Sequence, residues 1–380
     1  MRPCCGSSWK ITCPVKFCSI SLWTGQLIGH RDAKGTITAR AASCHRRRPP
    51  MPRRRKNVWL ARLSGFLACF FVTDFGSSPA QAERVVIAYP SPSTSFLPLI
   101  VAQKRGFLEE ENFQADFVRT NISVIIHALT AGSVDYVTTS TASISARMQG
   151  LPVVVIGFYA AKPMDFLVGA KGISSARELK GKVVGISAVG SVTHLLTLRL
   201  LEGIGLNPST DVTIRPIGGE DLRLQALESG IVQAALLGSQ GVIQGERAGL
   251  KMIVAGADVV ESLAFSGLAT TVKKVKENPE QVRRILRGSM KGLRYVLENK
   301  IGTVDVIENW LKLDKKIASL TYDLALKSYS RNGEVDDRGV LLTADMINAR
   351  EKIEKKPSVS DLVDYTQLRE ARKNLAWPWP

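Results

Sequence analysis

The chain has 380 residues with 51 Lys+Arg against 34 Asp+Glu, and a formal charge of +17 that at first sight suggests a nucleic-acid partner. The charge is unevenly placed: 14 of the basic residues but only two acids, Asp32 and Asp74, precede Glu83, leaving +12 there and +5 in the remainder. All six cysteines (Cys4, Cys5, Cys13, Cys18, Cys44 and Cys69) lie in the same leading segment, so the rest of the chain excludes disulfides, thiolate nucleophiles and Cys-ligated metal, and its charge implies no nucleic-acid binding.

In chain order, residues 1–50 carry scattered cysteines and the run Arg46-Arg47-Arg48-Pro49-Pro50, with neither helical nor strand periodicity. They are read as disordered, or as lying upstream of a translation start at Met51. Residues 51–82 have the layout of a secretory signal: Arg53, Arg54, Arg55 and Lys56, an apolar run over 58–72, then Ala80-Gln81-Ala82. Export to the periplasm is expected, with the mature chain starting at Glu83. Phe66-Leu67-Ala68 before Cys69 loosely resembles a lipoprotein cleavage box, but Phe66 and Phe70 fit it poorly, and no lipid anchor is expected. No later apolar run approaches the roughly 18 residues that span a bilayer.

From Glu83 on, short apolar strands alternate with amphipathic helices. Strands are predicted at 84–89, 113–119, 136–139, 153–159, 166–169, 182–186, 212–217, 234–237 and 252–255. Helices are predicted at 96–104, 123–131, 143–149, 192–203, 221–229 and 242–248. Strands apolar nearly throughout indicate mainly parallel sheets covered on both faces. After about Asn278 the pattern is helical, at 281–298, 303–311, 315–330 and 343–351. The stretch from Ala128 to Tyr136 repeats in layout from Ala226 to Ala234, each a helix end, a glycine (Gly132, Gly230) and an entry into a strand. Two α/β lobes of like topology are implied.

In such sheets ligands bind outside the carboxyl ends of strands, where the following helices present their N-termini. Four of these turns are rich in hydroxyls and small residues: Ser91-Pro92-Ser93-Thr94-Ser95, Thr139-Ser140-Thr141, the run from Ser187 to Thr193, and Gly238-Ser239-Gln240. One hydroxyl at a helix start can simply cap it. Four such turns over two lobes are expected to converge on a cleft that favours an anion.

The segment from Phe96 to Phe113, containing Gln103-Lys104-Arg105-Gly106-Phe107-Leu108, resembles the first-helix signature of ABC-transporter solute-binding proteins of the nitrate/sulfonate/taurine type, relatives of the thiamin-pyrimidine proteins. Ala131-Gly132-Ser133-Val134-Asp135, the stretch Leu179 to Gly185, and Ala226-Leu227-Glu228-Ser229-Gly230 extend the resemblance over about 85–278. It implies an α/β two-lobed periplasmic binding protein of type II, each lobe a mainly parallel sheet flanked by helices, with a helical C-terminal extension. Lobe 1 would comprise 83–169 and 266–380, lobe 2 170–265, with hinge segments at 166–172 and 263–269. The implied function is to close around a small organic or inorganic anion (sulfonate, nitrate, carboxylate or pyrimidine-type solute) and deliver it, as a monomer, to an ABC permease and its ATPase. Contact with the membrane would be through the permease alone. Implied ligand contacts are Ser93, Thr94, Ser95, Ser140, Thr141, Ser191 and Thr193. His194 and Ser239 join them by position, although Gly238-Ser239-Gln240 lacks the aromatic residue or proline many relatives place there.

Two alternatives stand beside this. A sensor protein docking on a membrane receptor has the same sequence requirements. A thiamin-pyrimidine-synthase-like enzyme would need a cofactor and a cysteine-rich motif, and the mature chain has no cysteine and two histidines, His127 and His194. No catalytic residue, metal site or cofactor is therefore expected. His127, in an apolar helical run, reads as structural, and Arg119, Arg215 and Arg223 read as solvated. Trp377-Pro378-Trp379-Pro380 is assigned no role.

Overall fold

The computed structural model describes residues 82–353 and 357–375, together with the backbone of two short strands nearer the N-terminus. The expected signal peptide, Met51, all six cysteines and the terminal Trp377 to Pro380 lie outside the described residues. The two short strands, β1 (His30–Arg31) and β2 (Ile37–Thr38), pair antiparallel with His30 opposite Thr38. Both fall within residues 1–50, the rest of which lie outside the described residues.

The first lobe opens with β3 (Glu83–Tyr89), α1 (Leu97–Lys104), β4 (Phe113–Arg119), α2 (Ile122–Thr130), β5 (Tyr136–Val137), α3 (Ser140–Met148) and β6 (Val153–Ala160). The second contains β7 (Asp165–Gly169), β8 (Lys182–Ile186), α4 (Val192–Gly203), β9 (Val212–Pro216), α5 (Glu220–Glu228), β10 (Ala234–Gly238), α6 (Ser239–Arg247), β11 (Lys251–Ala255) and α7 (Gly256–Val259). The chain returns through β12 (Ser266–Thr271) to α8 (Val272–Glu277), α9 (Pro279–Glu298), α10 (Lys300–Leu311), α11 (Lys315–Leu326), α12 (Asp337–Glu351), α13 (Val359–Leu362) and α14 (Thr366–Lys373). Among the described residues no helix is long and apolar enough to cross a membrane.

Each lobe is built on a five-stranded sheet, β4-β3-β5-β12-β6 in the first and β11-β7-β10-β8-β9 in the second. Both are parallel except for the strand laid down on entering the lobe: β7 runs antiparallel to β10 and β11, and β12 antiparallel to β5 and β6. The expected boundary is corrected here. Strand 165–169, which the resemblance put in lobe 1, pairs wholly in the second sheet, its partners on both sides being lobe 2 strands. The outward crossing is therefore 161–164 rather than 166–172, and the return runs from α7 to Phe265. The two crossings hold each other, Leu263 N–H donating to the Ala161 carbonyl at 2.8 Å.

The repeat seen in the sequence is a structural one. Gly132 (φ 75°) and Gly230 (φ 74°) both take the left-handed conformation that lets a helix stop and reverse. Three residues after each stands a polar side chain that performs the same task. An Asp135 carboxylate oxygen accepts the Val86 N–H of β3 at 2.8 Å, and Gln233 Oε1 accepts the Val183 N–H of β8 at 3.1 Å. Each pins its incoming strand beside a parallel neighbour, β5 beside β3 and β10 beside β8, so the helices that follow, α3 and α6, start at equivalent places.

One apolar core fills lobe 1 and two smaller ones cover the faces of the lobe 2 sheet. Helix α12 joins cores in both: Val340, Ala344 and Ile347 belong to that of lobe 1, while Met346 belongs to one of lobe 2. The C-terminal helices, expected to complete lobe 1 alone, thus also strap the two lobes together.

Candidate functional site

A cavity of about 260 Å³ lies between the lobes. Its lobe 1 wall is the turn Ser91 to Ser95, where the β3 strand ends. Ser93 caps the following 3-10 turn, its Oγ accepting the Ser95 N–H at 3.1 Å, while its own hydroxyl donates to Ser95 Oγ at 3.1 Å. Thr94 is buried with Oγ1 3.9 Å from Met164 Sδ, and its carbonyl accepts the Tyr329 hydroxyl at 2.8 Å. Behind the turn, α1 crosses α9 so closely that a Cβ at Gly292 would collide with the Pro98 carbonyl oxygen. The turn is therefore anchored on a rigid helix pair.

The lobe 2 wall is the start of α6, Gly238-Ser239-Gln240, together with Asp165 at the start of β7 and Glu220 in the first turn of α5. This helix start, expected to favour an anion, carries a carboxylate of the chain itself. The Gly238 N–H, which a bound anion would need, donates instead to Glu220 Oε1 at 3.0 Å, so the chain's own carboxylate occupies that position. Gly241 makes room for it, since a Cβ there would lie 2.6 Å from Glu220 Oε1. Asp165 is pushed up to about 7, first by burial and then by the charge of Glu220, with Arg223 opposing.

Arg223 is not the solvated helix residue the sequence suggested. It is 6% exposed, Nε donating to the Leu236 carbonyl at 3.0 Å and Nη1 to the Gly218 carbonyl at 2.7 Å. Burial lowers its pKa, with Glu220 and Asp165 acting the other way. Its guanidinium is spent on backbone, and it does not line the cavity. Arg119 and Arg215 are exposed as expected, whereas His127, expected to be structural, is exposed on α2, on the side away from the buried Ile125, Ile126 and Leu129.

The C-terminal helices roof the cavity with Leu311 and Thr321, and Phe265 of the return crossing completes it. Thr321 is fully buried, yet its hydroxyl finds no hydrogen-bond partner among the described residues.

Of the residues singled out from the sequence, Ser93, Thr94, Ser95 and Ser239 come together on this cavity. The others do not line it. Ser140 is buried at the start of α3, its Oγ donating to the Ala264 carbonyl at 3.4 Å, and Thr141 beside it is half-buried. Ser191 caps α4, its Oγ accepting the His194 N–H at 3.1 Å and donating to the Ala188 carbonyl at 2.7 Å. Ser187 Oγ donates to Ser191 Oγ at 2.8 Å and to Thr193 Oγ1 at 3.2 Å, and His194 Nδ1 accepts the Gly190 N–H at 3.0 Å. These groups satisfy one another within their own turn. Asp165, Glu220 and Thr321 were missed: an acid in a first helical turn reads as a dipole partner, and nothing local to Thr321 points at a cleft whose first wall is formed by the distant Ser91 to Ser95 turn.

The sheet orders and the interlobe cavity define the two-lobed fold of periplasmic binding proteins. Residues 93–300 match the family described as NMT1/THI5 like, and the chain belongs to that family. It is 29% identical over 214 residues to the riboflavin-binding protein RibY of Chloroflexus aurantiacus, a match spanning 55% of this chain and 60% of that protein's length. It is 23% identical over 257 residues, 63% of this chain and 73% of the relative, to the 4-amino-5-hydroxymethyl-2-methylpyrimidine phosphate synthase THI5 of Saccharomyces cerevisiae. In fold it is similar to the periplasmic aliphatic sulphonate binding protein SsuA of Escherichia coli, with a TM-score of 0.60 and 18% identity over 74% of this chain and 92% of that one.

Proposed function

We propose that the chain is the extracytoplasmic solute-binding component of an ABC importer, capturing a small solute between its lobes and presenting it, as a monomer, to a permease driven by an ATPase. The observation that carries this reading is the cavity itself: hydroxyl-bearing residues at helix starts of both lobes, Ser93 to Ser95 and Ser239, line it together. Two crossings, 161–164 and the return to Phe265, permit the lobes to open and close about it. At 260 Å³ the space falls below the roughly 300–1,000 Å³ of sites for drug-sized ligands, which suits a small solute or a cleft that opens further for a larger one.

The reading is one of binding rather than turnover. Among family relatives the names include both binding proteins and a synthase, and here the cavity is lined by hydroxyls, an amide, two carboxylates and apolar groups. Export by residues 51–82 places the protein in the periplasm in this proposal.

A thermal-shift screen of the purified chain from Glu83 against small solutes of both charge signs tests it. A true solute at about 100 times its dissociation constant adds about 2.7 kcal/mol by linkage, a readily measured shift. Hydrolysis or conversion of the solute during the incubation would instead establish an enzyme.

A further inference from the structure

The charged groups on the cavity wall are both acids. Asp165 and Glu220 line it, and among its lining residues there is no Lys, Arg or His. Arg223 directs its donors to the Leu236 and Gly218 carbonyls. An anion entering from either lobe would meet a carboxylate already seated on the Gly238 N–H. The remaining lining supplies neutral oxygen: Ser93, Ser95 and Ser239, and above all the Thr321 hydroxyl, fully buried and without a partner among the described residues. A buried hydroxyl left unpaired is costly and points to a group that completes it.

We propose that the cavity takes a small organic cation, a protonated amine or amidine whose N–H groups donate to Asp165 and Glu220 and to the hydroxyl oxygens of Ser95 and Thr321. This rests on the solute-binding reading and assigns the class of solute. The carboxylates, the hydroxyls and the apolar groups each have a use in it. The two carboxylates offer charge-assisted acceptors from one lobe, the Ser93 to Ser95 turn offers neutral acceptors from the other, and Phe265, Met164 and Leu311 enclose the apolar part. Closure then brings acceptors from both lobes onto one nitrogen centre. An anion in the same place would face the Asp165 and Glu220 carboxylates with no lining cation to offset them, the arrangement by which a site rejects a wrong ligand.

Calorimetry on the purified chain with two probe sets decides this. The cations are benzamidine, guanidinium and putrescine; the anions are benzoate, ethanesulfonate and nitrate, and benzamidine and benzoate share one flat shape with opposite charge. At least one cation is expected to bind, and benzamidine at least tenfold more tightly than benzoate. For the cation that binds, Glu220→Gln and Asp165→Asn should each weaken it about ten- to hundred-fold, the range for a lost hydrogen bond to a charged group. Both variants keep side-chain volume, and the amide oxygen introduced by Glu220→Gln can still accept the Gly238 N–H, so the fold is retained. Binding of an anion and of no cation overturns the inference while leaving the solute-binding reading in place. Silence from both sets overturns the inference and counts against that reading too. A cation whose affinity is unchanged in both carboxylate variants binds elsewhere, which also overturns it.

Discussion

Asp165 shows how a single residue's surroundings set its chemistry. An unfolded aspartate titrates near 3.9, whereas in the folded chain burial and the neighbouring Glu220 charge push it up to about 7 against the pull of Arg223. Between those values the folded protein holds a proton that the unfolded chain has released. Stability contributed by this group therefore falls as pH rises from about 4 to about 7 and is level above. Asp165→Asn removes that penalty. The variant is expected to match the parent near pH 4.5 and to exceed it by roughly 1–3 kcal/mol at pH 8, measured by urea unfolding at both pH values. Equal stability of the two proteins at pH 8 would mean that the carboxylate is well solvated. The acid was visible in the sequence, but its role was not: only the pairing of β7 into the second sheet brings it beside Glu220, which lies far along the chain.

Among the elements, α4 and α6 both begin just beyond a strand of the lobe 2 sheet and differ in how they are capped. Both start after a strand end rich in small residues, and the sequence treats them alike. The structure separates them through their first turns. In α4 the cap is internal, Ser191 holding the His194 N–H and Ser187 bridging Ser191 and Thr193. In α6 the cap residue is Gly238, which has no side chain, and Glu220 of α5 satisfies its N–H. Ser191→Ala should therefore cost about 1 kcal/mol of stability, as loss of an N-cap typically does, and leave solute affinity unchanged by calorimetry. A tenfold loss of affinity in that variant would bring α4 back into the site. The helix starts were legible because cap residues are local in sequence. Which of them faces the cavity depends on how the sheets are tilted, and that is set by distant packing.

At the scale of the molecule, α12 has residues in the cores of both lobes and is expected to limit how far they part. Thr343 of α12 accepts the Ala264 N–H of the return crossing at 2.9 Å, and Ser328 donates to the Pro163 carbonyl of the outward crossing at 2.8 Å. Met346 lies in the lobe 2 core and Ile347 in that of lobe 1, so a wider opening would pull α12 from one of them. Met346→Ala is expected to release that hold and enlarge the radius of gyration of the solute-free protein in solution scattering, with circular dichroism confirming that it remains folded. An unchanged radius would show that the crossings alone govern opening.

The sequence by itself determined the two-lobed α/β architecture, the place of the repeat and the family, because strand apolarity, helix stops at Gly132 and Gly230 and the run from Phe96 to Phe113 are local signals that a single chain carries openly. It also located four of the cavity residues, Ser93, Thr94, Ser95 and Ser239, since strand ends in parallel sheets are where ligands meet helix starts. Only the tertiary structure decided the charge of the site. Asp165, Glu220 and Thr321 stand on three elements far apart in the chain, and whether Arg223 faces solvent, solute or a carbonyl depends on burial that no local pattern records. Electrostatic character is a property of what folding brings together and what it shields from water, so the two carboxylates on this cavity were not legible in the pattern that specified the fold.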